Sequence, residues 1–169
     1  LALILDQIGF KVNLIEGGYK AFRAELVKNI AELALKIEFK VVCGLTGSGK
    51  TRLLHELARQ GHQVLDLEAL ARHRSSVLGL MPGDHQPSQK AFDTAIWNVL
   101  RRLDLSRPVF VESESKKVGN VAIPEALIQA IRQSPCVILE LGLEHRIELL
   151  MQDYAHFSQD SNSFIKRLN

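Results

Sequence analysis

The residues of this 169-residue chain best suited to chemistry lie between Gly44 and Thr51. They read Gly44-Leu45-Thr46-Gly47-Ser48-Gly49-Lys50-Thr51 and fit G-x-x-x-x-G-K-[ST] at every fixed position. Glycines at both ends let the backbone wrap, so that successive N–H groups point inward at an anion. A helix starting near Lys50 adds its N-terminal dipole. Lys50 brings a mobile cation to the outer phosphate. Thr51 offers a hydroxyl to a magnesium ion that bridges phosphates. The segment therefore predicts a phosphate-binding loop. It leaves the ligand open, because any diphosphate, nucleotide or not, satisfies the same geometry.

Carboxylates are the next candidates. Val109-Phe110-Val111-Glu112 reads as an apolar strand ending in an acid. Glu112 there can hold magnesium through water or act as a base. Asp66 and Glu68, at the end of an earlier strand, compete for that role. Open α/β sheets bind ligands at the carboxyl ends of their strands. Asp66, Glu68, Glu112 and Glu114 are therefore expected to converge on the loop. Arg72, His73 and Arg74 form a compact basic cluster suited to phosphate or an RNA backbone, or to an ordinary solvated helix face. Lys116 and Lys117 form a second basic point with the same two readings. Trp97 falls within the apolar helical pattern of Ile96, Val99 and Leu100, which favours core packing over base stacking.

The elements that must position these groups can be read around them. Leu1 to Ile8 reads as a helix stopped at Gly9, and Val12 to Ile15 as a short strand. Glu16 to Tyr19 is turn chemistry. Lys20 to Ile37 reads as a helix with Phe22, Leu26, Ile30, Leu33 and Ile37 on one face. From Phe39 strands and helices alternate. Strands are expected at Phe39–Cys43, Gln63–Leu67, Val109–Glu112 and Cys136–Glu140. Helices are expected at Lys50–Gln60, from Leu67 to about His73, from Ser88 to about Leu103, at Glu125–Gln133 and at Glu144–Tyr154. Ser88 suits an N-cap. Arg74 to Gln86 reads as irregular, with a turn at Pro82-Gly83-Asp84. This alternation predicts an α/β fold of three layers around a mostly parallel sheet.

Composition adds little. A net charge of +2, 46% hydrophobic and 24% charged residues are ordinary for a soluble globular protein. The charge neither marks nor excludes a nucleic-acid binder, since a local basic patch decides that. Cys43 and Cys136 both sit in apolar runs and read as buried core thiols, which suits a reducing cytoplasm. No apolar run approaches the length of a membrane span, and Leu1 to Leu5 lacks a basic leader and cleavage site. The first residue is Leu, so the chain is expected to begin inside a longer protein.

Several stretches together resemble the tRNA 2-selenouridine synthases. They are Glu16-Gly17-Gly18-Tyr19-Lys20-Ala21-Phe22-Arg23, Gly44 to Thr51, Leu65 to Ser76, Gln86-Pro87-Ser88-Gln89 and Val111-Glu112-Ser113-Glu114-Ser115. The resemblance implies a rhodanese-like domain followed by a P-loop domain. Residues 1–24 would be the C-terminal remnant of the first, 25–38 a linker helix, and 39–169 the P-loop domain, truncated at its C-terminus. The rhodanese cysteine of the family lies upstream of the Gly-Gly-Tyr-Lys segment, so this chain is expected to lack it. The resemblance also implies replacement of sulfur by selenium in 2-thiouridine at the wobble position of tRNA. Selenophosphate would donate the selenium, and geranyl diphosphate would supply a geranylated intermediate. Lys50, Glu112 and Asp66 would be catalytic and Thr51 a magnesium ligand. Glu68, Arg72, His73, Arg74, Glu114 and Lys116 would face substrate or tRNA. No tightly bound cofactor is expected. Partners would be tRNA and an enzyme supplying selenophosphate, in the cytoplasm and away from membranes. One departure is Ser75, where the family pattern His-Arg-Gly-Ser has glycine. Two rival readings stay open: an ATP-dependent small-molecule kinase with Glu112 or Asp66 as base, and a non-catalytic nucleotide-binding module regulating an attached domain.

Overall fold

A computed structural model of the chain describes residues 2–73 and 85–153. Its centre is a four-stranded parallel sheet in the order β2-β3-β1-β6. The strands are β1 (Phe39–Cys43), β2 (Gln63–Leu65), β3 (Val109–Glu112) and β6 (Cys136–Ile138). Parallel neighbours need crossovers, and the intervening helices supply them. These are α3 (Lys50–Arg59), α4 (Leu67–Ala71), α5 (Gln89–Leu100) and α6 (Glu125–Arg132). α7 (Leu143–Asp153) follows β6. The α/β, mostly parallel architecture is the one expected.

Two helical layers follow from strand alternation. Phe39 and Val41 of β1 and Val109 and Val111 of β3 are buried in one apolar cluster with α2 (Gly18–Ala34), α5 and α6. Val42 points to the opposite face, where α3 lies against β2 and β3 and buries Leu54. α2 therefore belongs to the core: Leu26, Ile30 and Ala34 are buried where it meets α5 and α6. It starts at Gly18, two residues before the expected Lys20, and runs unbroken past residue 24. Arg23 ties it to α5, with Nη2 donating to Asp93 Oδ2 at 2.5 Å. Ser88 caps α5 by accepting from the Ala91 N–H.

Two expectations are corrected. Val12 to Ile15 is not a strand: among the described residues no strand pairs with its backbone, and Leu14 and Ile15 are exposed. The short helix α1 (Ala2–Gln7) precedes it as expected. Cys43 and Cys136 are not buried thiols. They lie on adjacent strands with Cα atoms 6.2 Å apart, within disulfide reach, and their sulfurs are bonded. Among the described residues β6 is an edge strand, and Cys136 is exposed. With these two sulfurs bonded, the pair offers no free thiol to point to a reducing compartment. Finally, the loop after β3 folds into an unexpected hairpin, β4 (Lys117–Val118) with β5 (Val121–Ala122). The turn at Pro82-Gly83-Asp84, Ser75 and the end of the last helix at Tyr154 lie outside the described residues. Among the described residues no helix is long and apolar enough to cross a membrane.

Candidate phosphate site

The loop leaves the carboxyl end of β1 and enters α3 directly. Gly49 is the N-cap of α3, with φ +87°, a conformation open to glycine and costly for other residues. Lys50 and Thr51 thus open the helix where its dipole is positive. The Ser48 hydroxyl is buried in the loop with no hydrogen-bond partner among the described residues. A buried donor of this kind suits an incoming anion.

Strand pairing delivers the carboxylate. Val42 pairs with Glu112 in the β1–β3 register, so Glu112 ends its strand beside the start of the loop. Glu112 Oε2 accepts from Thr51 Oγ1 at 3.0 Å, and Oε1 lies 3.5 Å from Lys50 Nζ. Lys50 also donates to the carbonyls of Gly44 at 3.0 Å and Leu45 at 3.4 Å. Burial pushes the Glu112 carboxyl above its ordinary value of 4.5, and the nearby Glu68 charge adds to this. Lys50 and Thr51 pull the other way but do not offset it.

Ligand oxygens of Glu68, Glu112 and Glu114 lie within 4.8 Å of one another. With the Thr51 hydroxyl they form an all-oxygen donor set, which is the chemistry magnesium prefers. The expected convergence of acids on the loop thus holds for three of the four. Asp66 is engaged elsewhere. Its Oδ1 caps α4 by accepting from the Ala69 N–H at 2.8 Å, and its Oδ2 meets His55 Nε2 at 3.1 Å.

The basic candidates divide similarly. Arg72 closes α4 at φ +49°, the left-handed region that non-glycine residues seldom adopt. His73 donates its backbone N–H to the Glu68 carbonyl, and its Nδ1 is buried without a hydrogen bond among the described residues. Both therefore adjoin the acid-bearing helix α4. Arg74 lies outside the described residues. Lys116 is paired with Glu125 at 2.8 Å on the surface, an arrangement that lowers the Glu125 carboxyl. Lys117 is exposed on the hairpin. Trp97 packs against the core, edge-on to Phe22 and under the Arg101 guanidinium.

Two features escaped the sequence. Gln86 and Gln89 fasten the hairpin. Gln86 donates to the carbonyls of Ala71 and Val118 and accepts from Asn120 N–H, while Gln89 both donates to and accepts from the Ala122 backbone. Arg146 of α7 is the second. It donates from Nε and Nη2 to the carbonyl of Thr46, inside the loop, at 3.0 and 2.8 Å. The helix was legible in the sequence, but no local pattern links residue 146 to residue 46.

A family model described as the tRNA 2-selenouridine synthase AAA domain matches residues 37–167. The chain is 39% identical over 153 residues to the tRNA 2-selenouridine synthase of Nitrosomonas europaea, covering 89% of this chain and 39% of that protein. It is 37% identical over 152 residues to that of Alcanivorax borkumensis, covering 89% and 41%. It is 36% identical over 166 residues to that of Shewanella piezotolerans, covering 97% and 44%. The chain thus spans about two fifths of the length of these curated relatives. No solved structure matches it. With the glycine loop, the strand-end acid and a matching family model over most of its length, the chain belongs to the AAA-domain family of the tRNA 2-selenouridine synthases.

Proposed function

We propose that this chain is the phosphate-binding part of a tRNA-modifying transferase that replaces sulfur by selenium in wobble 2-thiouridine. The observation that carries this reading is the joining of Lys50, Thr51 and Glu112 around an intact phosphate loop, in a chain of this family. The loop takes the diphosphate of geranyl diphosphate. Loop amides and Lys50 hold its oxygens, and they hold them more strongly as charge builds on the departing group. The 2-thiouridine sulfur attacks the first carbon of the geranyl chain. The carbon–oxygen bond to the diphosphate breaks, and the diphosphate leaves with the electron pair. The alkylated sulfur is then the better leaving group. The selenium of selenophosphate adds at the ring carbon and geranyl thiol departs with the carbon–sulfur electron pair; water then takes up the phosphoryl group as the selenium–phosphorus bond breaks, releasing inorganic phosphate and leaving 2-selenouridine.

Magnesium, when bound to Thr51 and the Glu68–Glu112–Glu114 group, would neutralise charge on the diphosphate. Glu112 orients Thr51 and Lys50 through its two oxygens. Arg72 and His73, next to that group, would meet the tRNA backbone, with selenophosphate coming from a supplying enzyme. The test uses the intact longer protein with 2-thiouridine tRNA, geranyl diphosphate and selenophosphate, followed by nucleoside analysis. Geranylated and selenated nucleosides are expected. Finding neither would sink the reading.

A further inference from the structure

α7 lies over the phosphate loop, and its contacts are specific. A Cβ built on Gly47 would fall 2.8 Å from Leu150 Cγ and 3.1 Å from the Arg146 carbonyl oxygen. One on Gly49 would fall 3.5 Å from Leu149 Cδ1. Gly47 occupies a variable position of the loop pattern, so the motif does not explain it. Its φ of +79° and the close approach of α7 do. Positions 146, 149 and 150 share one helical face, and that face rests on the loop.

The polar contact made by this face is unusual in its target. Two guanidinium nitrogens of Arg146 converge on one backbone carbonyl, that of Thr46. A trans peptide holds its C=O and its N–H on opposite sides. With the Thr46 carbonyl held by Arg146, the Gly47 N–H therefore points away from that guanidinium. That N–H makes no backbone hydrogen bond among the described residues, whereas the next one, from Ser48, turns back to Leu45. Arg146 forms no ion pair with a described carboxylate, so its charge also stands at the loop.

We infer that Arg146 is a positioning residue for phosphate binding: by fixing the Thr46–Gly47 peptide from α7, it presents the Gly47 amide to the ligand. This rests on the reading that the loop binds phosphate. It makes the competence of the loop depend on the docking of α7. Leu150 and Leu149 set the register of that docking, and Arg146 converts the register into peptide orientation.

The experiment is calorimetric titration of this chain with inorganic pyrophosphate, alongside amide NMR of Gly47. Arg146→Ala is expected to weaken binding about tenfold, as for loss of a hydrogen bond to a charged group. It should also abolish the pyrophosphate-induced shift of the Gly47 amide. Arg146→Lys, which keeps the charge and one donor, should recover part of both. Should the alanine variant fail to fold, Arg146→Gln carries the same comparison with a neutral donor. A variant that melts lower yet binds pyrophosphate as tightly as wild type, with an unchanged Gly47 shift, would overturn the inference. If wild type itself binds no pyrophosphate, the phosphate reading fails first and the role of Arg146 with it. Lys50→Ala separates the cases, since it should weaken binding whether or not Arg146 matters.

Discussion

The Thr51 hydroxyl donates to Glu112 Oε2 at 3.0 Å, joining the first turn of α3 to the end of β3. The contact exists because β1 and β3 are parallel neighbours in a register that pairs Val42 with Glu112. A loop after one strand and an acid at the end of the next are thereby brought together, although 61 residues separate them in sequence. The other Glu112 oxygen faces Lys50. One half-buried carboxylate thus contacts both side chains.

Lys50 supplies the mobile cation of the site, so its removal should be felt in affinity. Lys50→Ala is expected to cost about 1.5–3 kcal/mol of pyrophosphate binding, tenfold or more in Kd. Titration calorimetry measures this directly. Unchanged affinity would mean that the loop amides bind without it.

Glu112 gives a pH signature. Its carboxyl is raised above 4.5 in the folded chain, chiefly by burial. The folded state therefore holds this proton to higher pH than the unfolded state does. The associated stability is present below the ordinary value and is lost as pH rises through the window between 4.5 and the raised value. Glu112→Gln is neutral throughout and lacks that loss. The melting temperature of Glu112→Gln relative to wild type should rise with pH across this window and level off above it. A difference that falls with pH would contradict the assignment.

Gly47 is constrained twice, by φ +79° and by Leu150 lying where a Cβ would go. Gly47→Ala should destabilise by about 2 kcal/mol, from left-handed strain and overpacking together. In a thermal melt this is a drop of roughly 4–8 °C. Adding Leu150→Ala should relieve the overpacking part only. Equal melting of wild type and Gly47→Ala would show that α7 does not press on the loop.

Arg23 and Asp93 form a mostly buried pair between α2 and α5, with side chains 16% and 11% exposed. Gln89 holds the second Asp93 oxygen at 2.7 Å. Arg23→Ala strands that carboxylate and should cost about 3 kcal/mol in denaturant unfolding. Replacing both Arg23 and Asp93 with apolar residues should recover much of it. A loss below 1 kcal/mol, on the order of an exposed pair, would place α2 outside the cooperative core.

What could be read from the sequence was whatever is local. The loop, its flanking strand and helix, Ser88 as a cap and the amphipathic face of α2 each follow from spacing within a few residues. The strand-end acids were legible as a group, but the role of Asp66 was not. Whether it faces the ligand or caps α4 depends on the backbone of Leu67 to Ala69, and either use suits an aspartate at a strand end. The pairing of Cys43 with Cys136 required knowing that β6 lies beside β1. The hairpin after β3 consists of two-residue strands, too short for alternation to register, and it is held by Gln86 and Gln89 from 32 or more residues away. Arg146 is the extreme case, since it acts on a carbonyl 100 positions earlier.

The ligand proposed for the Gly44–Thr51 loop is a diphosphate attached to a prenyl group. Titrating this chain with geranyl diphosphate, inorganic pyrophosphate and ATP, each with magnesium, tests it most directly. Saturable binding of geranyl diphosphate, competed by pyrophosphate and lost in Lys50→Ala, is the predicted result. Tight binding of ATP with no affinity for geranyl diphosphate would contradict it.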